Sequence, residues 1–281
     1  MASAAHAILV GTDFSRSAEH AVERGIQIAK ASRAALHLLH ASPRLPRALV
    51  KLVGGSDDDA DRAALERVVA HARAAKVKAH GHHLEAAPSA ALRAKARELS
   101  ADLVIVGARG RTLPDTFVGS TAERIAAFGR VPVLLVRRRA HRAYRAVIIA
   151  ADKDIDLRRA VAAAAVAAPG RAFSVLHAYE GPFELSLRLH GVNAAGIRSY
   201  RREVRREAHA ALLERLEDAG VDRSALVLRH GDPRRVLKHA EEERGDVLFV
   251  LQRGRSEVAH VLVGSVTRSL IAHATSDVLI V

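Results

Sequence analysis

Residues 102–123 read DLVIVGARGRTLPDTFVGSTAE, and this stretch decides how the chain folds. The apolar run at 103–106 has the length and β-branched content of a strand that is buried on both faces of a parallel sheet. Gly107 ends the run, a glycine-containing loop follows, and a helix-forming run begins at Ala122. The order of these features predicts a strand, a glycine loop and the N-terminus of a helix.

The loop contains Gly107, Gly110 and Gly119 and ends at Ser120. Glycines let backbone N–H groups approach a ligand closely, and the first turn of a helix offers unpaired donors at the positive end of its dipole. A phosphate group suits this arrangement. Ser120 also has the S-x-x-E spacing to Glu123 that marks a capping box, so a helix cap alone explains this serine equally well.

The composition narrows the classes of protein to consider. A chain of 281 residues suits two domains, and 49% hydrophobic with 27% charged residues is ordinary for a globular protein. There are no cysteines, which excludes disulfides, thiolate metal sites and cysteine nucleophiles. No apolar run approaches the roughly 18 residues of a membrane span. We therefore expect a cytoplasmic protein.

The chain is strongly basic, with a formal net charge of +13 and a pI near 10.9. Such a charge attracts polyanions without regard to sequence. Aromatic residues make up only 3% of the chain, however, and the basic residues are spread along it. This pattern disfavours nucleic-acid binding as the primary role and favours a solvated basic surface.

Strand-forming and helix-forming runs alternate along the first half. We predict strands at 8–10, 36–41, 77–84, 103–106 and 131–136, with helices between them. Parallel strands need crossover connections, so the alternation predicts a doubly wound α/β sheet. Ligands bind such sheets at the carboxyl ends of the strands, where the strand order reverses. Asp13 follows the first strand and Gly107 ends the fourth, so both face one cleft if these strands are neighbours.

The same pattern recurs in the second half. Asp152 repeats Asp13, the segment VLHA repeats LLHA, and DVLFVLQRG repeats DLVIVGARG. Gly264 and Ser265 repeat Gly119 and Ser120, at a spacing that drifts by only a few residues. We therefore predict two tandem domains joined by a basic linker, at residues 1–138, 139–145 and 146–281.

The chain resembles the universal stress protein family in its tandem-domain form. The family has an aspartate after the first strand and a G-x2-G-x9-G-[S/T] pattern after the fourth, which Asp13 and the glycines at 107, 110 and 119 resemble, and the resemblance covers essentially the whole chain. It implies a five-stranded parallel sheet in each half, of the adenine nucleotide alpha hydrolase-like kind. It also implies ATP bound across the first and fourth strands, with Mg²⁺ as a candidate counter-ion. The resemblance implies that ATP is bound without a Walker lysine, and the chain contains no Walker motif.

The resemblance also implies site residues in the first half, each taken from a matching position. Those implied to contact the adenosine are Gly11, Thr12, Asp13 and Ala41. Those implied to frame the ribose and phosphates are Val106, Gly107, Arg109 and Gly110. Those implied to donate hydrogen bonds to the phosphates are Gly119, Ser120 and Thr121.

Each half departs from the family pattern. In the first half the loop at 111–118 has eight residues instead of nine and contains Pro114. In the second half the loop has its full length, but Leu251 replaces the first glycine. A leucine side chain would crowd the ribose or the phosphates, whereas a surface loop can absorb a one-residue deletion. We therefore expect nucleotide in the first half.

The resemblance further implies that fifth strands pair antiparallel across a dimer. The segments 131–136 and 278–281 are the candidates here, and their pairing would make an intramolecular pseudo-dimer. Homodimerisation of the whole chain stays open as a second arrangement.

Histidines are the other candidate ligands. His80 and His82 alternate on a predicted strand, so both point to one face and could share a metal, but an exposed strand face explains them equally well. No carboxylate lies at a spacing along the strand that would place it beside these histidines, and we expect no metal. His40 and His177 recur at equivalent positions, which favours roles in packing or in supporting the site.

Three functions fit these observations. The first is a regulatory stress-response protein that binds ATP or a related adenine nucleotide and engages a protein partner. The second is a slow ATP hydrolase, for which Asp13 and Asp115 are the available general bases near the loop. The third is a nucleotide-free scaffold whose positive charge recruits an acidic partner or a membrane surface.

Overall fold

The structure is a computed structural model that describes residues 6–42, 58–108, 131–252 and 265–281. In the first half the elements are β1 Ala7–Gly11, α1 Arg16–Ser32, β2 Ala35–Ser42, α2 Asp58–Ala74, β3 Ala79–Glu85, α3 Pro88–Glu98, β4 Leu103–Gly107 and β5 Val133–Val136. The helix predicted after Ser120, and the glycine loop before it, lie outside the described residues.

The second half repeats the alternation of strands and helices. Its elements are β6 Ala146–Ala150, α4 Leu157–Ala167, β7 Phe173–Tyr179, α5 Glu184–Leu189, α6 Ala194–Asp218, β8 Leu226–His230, α7 Pro233–Arg244, β9 Val247–Leu251, α8 Ser265–His273 and β10 Asp277–Ile280. A single 3₁₀ turn at Arg223–Ala225 precedes β8. None of the helices in the described part of the chain is both long and apolar enough to cross a membrane.

The strands form one sheet in the order β3-β2-β1-β4-β5-β10-β9-β6-β7-β8. Within each half the five strands are parallel, as predicted. The halves meet where β5 and β10 pair antiparallel, with Leu134 opposite Leu279. The expected intramolecular pairing of the fifth strands is therefore confirmed, and two doubly wound α/β units share one continuous sheet.

Apolar side chains cover both faces of this sheet. Ile8, Leu9 and Val10 of β1 are fully buried although they point to alternate faces, because helices pack on both sides. Ile8 and Val10 face the layer that includes α1 and α2, and Leu9 faces the layer that includes α3. Each layer contains residues of both halves, so the duplicated units share their hydrophobic core.

Local chemistry sets where the elements begin. Ser15 caps α1 by accepting a hydrogen bond from the backbone N–H of Ala18 at 3.2 Å, as its position predicts. The fifth strand begins at Val133 rather than at 131, because Pro132 has no N–H to donate. The third begins at Ala79 rather than at 77, after a turn in which Lys76 has a φ of 65°.

The basic segment between the halves is packed against both of them. Its carbonyls at Ala140 and Arg142 accept hydrogen bonds from Gln27 and Arg24 of α1, at 2.7 Å and 3.0 Å. Tyr144 within it is 3% exposed. The segment predicted as a basic linker is therefore part of the interface between the halves.

Candidate functional site

The strand order reverses between β1 and β4. From β1 the sheet grows through β2 and β3 on one side and through β4 and β5 on the other. β1 and β4 are direct neighbours, with Val10 in register with Ile105. Such a reversal opens a crevice at the carboxyl ends of the two strands, where α/β sheets bind ligands. Asp13 follows β1 and Gly107 ends β4, so both residues lie at the edge of the sheet where the sequence predicts a crevice.

Hydrogen bonds fix the turn that carries Asp13. The backbone N–H of Thr12 donates to the carbonyl of Leu39 at 2.9 Å, which ties the turn to β2. The Thr12 hydroxyl accepts from the N–H of Phe14 at 3.1 Å, and Oδ1 of Asp13 accepts from the N–H of Ser15 at 3.0 Å. These bonds hold the Asp13 side chain, which is half-buried, at the rim of the crevice.

His40 supports this turn from the end of β2. Its Nδ1 lies 2.8 Å from the carbonyl oxygen of Thr12, and its ring stacks on Phe14 with 4.5 Å between the ring centroids. Because a carbonyl oxygen only accepts, Nδ1 carries the proton in this bond. His40 therefore packs against this turn, which agrees with the packing role that the sequence favours. Ala41, the next residue, is partly buried at the same strand end.

Packing restricts two glycines of the site whether or not a ligand binds, Gly107 by contact with backbone atoms and Gly11 only by contact with a side chain that can adjust. A Cβ at Gly107 would lie 2.6 Å from Ser17 Oγ and 2.7 Å from its backbone carbonyl carbon and oxygen. A Cβ at Gly11 would lie 3.0 Å from Leu92. The sequence suggests ligand approach as the reason for a glycine at 107, but the close contact of β4 with α1 is a second reason that sequence does not reveal.

A basic cleft adjoins the crevice and lies between the halves. Its volume is about 690 Å³, which falls within the usual range of about 300–1,000 Å³ for small-molecule sites. Arg16, Arg137 and Arg138 line the cleft, so its charge suits an anionic ligand. 

The second half builds the same turn. The N–H of Ala151 donates to the carbonyl of Leu176 at 2.9 Å, and Oδ1 of Asp152 accepts from the N–H of Asp154 at 3.1 Å. His177 Nδ1 lies 2.8 Å from the carbonyl oxygen of Ala151. The duplication therefore preserves the backbone geometry around both aspartates.

A small cavity lies beside the second turn. Asp152, His177, Leu251 and Gln252 are among the residues that line a cavity of about 140 Å³ there. Leu251 is 3% exposed and lies where the first half has Gly107. A cavity of this volume is below the usual size of a small-molecule pocket.

The structure brings together one part of the predicted site. Gly11, Thr12, Asp13, Ala41, Val106 and Gly107 gather at the carboxyl ends of β1, β2 and β4. The remaining predicted residues, Arg109, Gly110, Gly119, Ser120 and Thr121, lie outside the described residues, and their roles stay predictions.

The predicted histidine cluster divides between the two faces of the sheet. His80 and His82 share one face, where both rings stack on His37, and His37 Nδ1 lies 3.0 Å from His82 Nε2. His83 stacks instead on His40. Partial burial, followed by the charges of His82 and His80, lowers the pKa of His37 from 6.5 to about 4.

This lowered pKa predicts a loss of stability in acid. Between pH 6.5 and 4 the unfolded chain binds a proton at His37 that the folded chain does not, so the free energy of unfolding falls as the pH falls. The ring is partly exposed, so we expect a loss of about 1 kcal/mol over this window. Urea unfolding at several pH values should show that His37→Gln reduces this pH dependence. His209→Gln, at an exposed helix position, is the control and should leave it unchanged.

Comparisons with known proteins agree with this architecture. The model of the universal stress protein family matches the chain twice, over residues 5–137 and 143–281. No curated protein sequence matches the chain. A universal stress protein structure from Archaeoglobus fulgidus DSM 4304 is 17% identical, covers 98% of this chain and 97% of its own, and has a TM-score of 0.66.

Two further structures are similar to the chain. A functionally unknown protein from Pseudomonas aeruginosa PAO1 is 17% identical, with coverage of 99% of this chain and 92% of its own and a TM-score of 0.64. A universal stress protein in complex with cAMP is 31% identical, with coverage of 48% and 98% and a TM-score of 0.39. The two family matches span nearly the whole chain, which therefore belongs to the universal stress protein family in its tandem two-domain form.

Proposed function

We propose that the first half binds an adenine nucleotide, ATP in the first instance, and that the protein acts as a regulatory module of a stress response. The observation that carries the proposal is the adjacency of β1 and β4 at the reversal of strand order, which places Asp13 and Gly107 at the same edge of the sheet. Doubly wound sheets bind nucleotides at this position.

Two features of the first half support the choice of ligand. The turn at Thr12 and Asp13 is held by hydrogen bonds, so it presents the carboxylate of Asp13 in one place at the crevice rim. The adjoining basic cleft, which includes Arg16 and Arg138, complements the negative charge of phosphates. Gly119, Ser120 and Thr121 are proposed to bind the phosphates, with Mg²⁺ as counter-ion.

A substitution of Asp13 tests the site. Asp13→Asn keeps an oxygen that can accept from the N–H of Ser15, but it removes the negative charge from the crevice. Losing a hydrogen bond to a charged group costs about 1.5–3 kcal/mol, so we expect the Kd for ATP to rise about 10-fold to 100-fold. Isothermal titration calorimetry with ATP and Mg²⁺ measures the change.

Asp152→Asn is the matched control, because Asp152 makes the same turn in the second half. We expect it to change the affinity by less than about twofold. A larger loss at Asp152 than at Asp13 would place the nucleotide in the second half. Unchanged affinity in both variants would contradict the role of the aspartates.

The purified protein should also release an adenine nucleotide when it is denatured. Chromatography of the released material, with ATP, ADP and cAMP as standards, identifies the ligand. Phosphate release measured on the same preparation distinguishes a regulatory module from an ATP hydrolase. An empty protein that no adenine nucleotide titrates would favour a scaffold.

A further inference from the structure

A second group of polar side chains lies close to the crevice, on the face of the sheet that α2 covers. His40 at the end of β2, His83 on β3 and Asp61 in the first turn of α2 each offer one ligand atom, and these atoms lie within 4.8 Å of one another. The two histidines are opposite each other in the parallel register, with ring centroids 5.6 Å apart.

The short distance between His40 Nε2 and the Asp61 carboxylate indicates that a cation lies between them. His40 Nδ1 carries its proton toward the carbonyl of Thr12, so Nε2 of the neutral ring has a lone pair. This nitrogen lies 3.2 Å from Oδ2 of Asp61, and two acceptors at that distance repel each other. Either a proton on Nε2 or a metal ion between the two atoms removes the repulsion.

The environment of His83 favours a metal ion over a proton. Its side chain is 6% exposed, and its Nδ1 lies 3.3 Å from Oδ1 of Asp58. Its Nε2 is buried and has no hydrogen-bond partner among the described residues. A proton on His40 would leave this nitrogen unsatisfied, whereas a metal ion would bind it as well.

We propose that His40 Nε2, His83 Nε2 and the carboxylate of Asp61 bind a divalent transition-metal ion, with Zn²⁺ as the best fit. Two imidazoles and one carboxylate are a common zinc ligand set, and three protein ligands leave one position open for water. The other nitrogen of each ring is already held by Thr12 or Asp58, which is how proteins orient histidine ligands.

The sequence pattern does not reveal this group, because its ligands do not lie within one strand. The residues come from three elements, and Asp61 reaches the histidines only through the packing of α2 on the sheet. The register of β2 and β3 then places His83, rather than His80 or His82, beside His40.

The duplication supplies an internal control. His177 holds the place of His40, and its Nδ1 makes the same contact with a backbone carbonyl. The register of β7 and β8 puts Leu228 opposite His177, where the first half has His83. Leucine cannot bind a metal, so the second half lacks this ligand pair.

Metal binding to the full-length, chelator-treated protein tests the proposal without nucleotide. We expect one Zn²⁺ per chain in a competition titration against a chromophoric chelator, and a tetrahedral Co²⁺ spectrum when Co²⁺ is used alone. His83→Leu, which copies Leu228, and Asp61→Asn should each weaken Zn²⁺ binding at least about 100-fold. His177→Ala should leave it unchanged.

Two results would overturn the site. One is that the protein binds no metal at micromolar concentrations. The other is that either variant, shown to be folded by circular dichroism, keeps the wild-type affinity for Zn²⁺ and the wild-type Co²⁺ spectrum. Asp61 is partly exposed, so Asp61→Asn gives a folded variant if His83→Leu does not fold. The metal site does not depend on the proposed nucleotide, and failure of ATP binding would leave these expectations intact.

Discussion

Asp277→Ala is expected to lower the free energy of unfolding by about 3–5 kcal/mol, because it breaks a buried ion pair between the two halves. Asp277 is 2% exposed. Its Oδ2 accepts from the Tyr144 hydroxyl at 2.7 Å and lies 3.3 Å from Nε of Arg24, in an ion pair without hydrogen-bond geometry. Its Oδ1 accepts from the backbone N–H of Arg137 at 2.8 Å.

The expected loss is large because the partners stay buried. The Arg24 side chain is 7% exposed and its guanidinium lies 4.0 Å from the centroid of the Tyr144 ring. Without Asp277 this charge loses its counter-ion in a site of low polarity. Burial, together with the charge of Asp277, raises the pKa of Tyr144 well above its usual value, so the phenol stays a hydrogen-bond donor.

Asp246→Ala is the matched control. Asp246 pairs with Arg142 at 2.7 Å and so connects the basic segment between the halves to the second half. Unlike the cluster around Asp277, this pair is exposed to solvent. Exposed pairs contribute about 0–1 kcal/mol, so we expect a loss below about 1 kcal/mol. Urea unfolding of both variants measures the difference. Equal losses would mean that the buried cluster does not stabilise the contact between the halves.

Gly107→Ala is expected to lower the free energy of unfolding by about 3 kcal/mol in the nucleotide-free protein. The new methyl group would lie 2.7 Å from backbone atoms of Ser17, which a side-chain rotation cannot move. α1 would have to shift away from β4, and the core layer between them would lose contacts. Thermal and urea unfolding of the variant without ligand measure this effect.

Gly81→Ala is the control for this substitution. A Cβ there would lie 3.0 Å from a methyl group of Val69, which can adjust. We expect a loss of about 1 kcal/mol or less. If Gly107→Ala were as stable as the wild type, packing against α1 would not explain the glycine, and ligand approach would be its remaining reason.

Much of the fold was predictable because its signals are local. Alternating strand and helix patterns, the Ser15 cap and the repeated aspartate turns each depend on residues close in sequence. Parallel strands and crossover helices follow from that alternation. The neighbouring positions of β1 and β4 then bring Asp13 and Gly107 to one crevice.

The tandem α/β repeat and an aspartate after the first strand of each half can be recognised from the order of residues alone. The contacts of Asp277 with Tyr144 and Arg24, and those of Asp61 with His40 and His83, are visible only in the folded chain. Local patterns depend on a few neighbouring residues. These contacts depend instead on strand register and on how the helices and the basic segment between the halves pack against the sheet. Side chains that are distant in sequence become partners only once those arrangements exist.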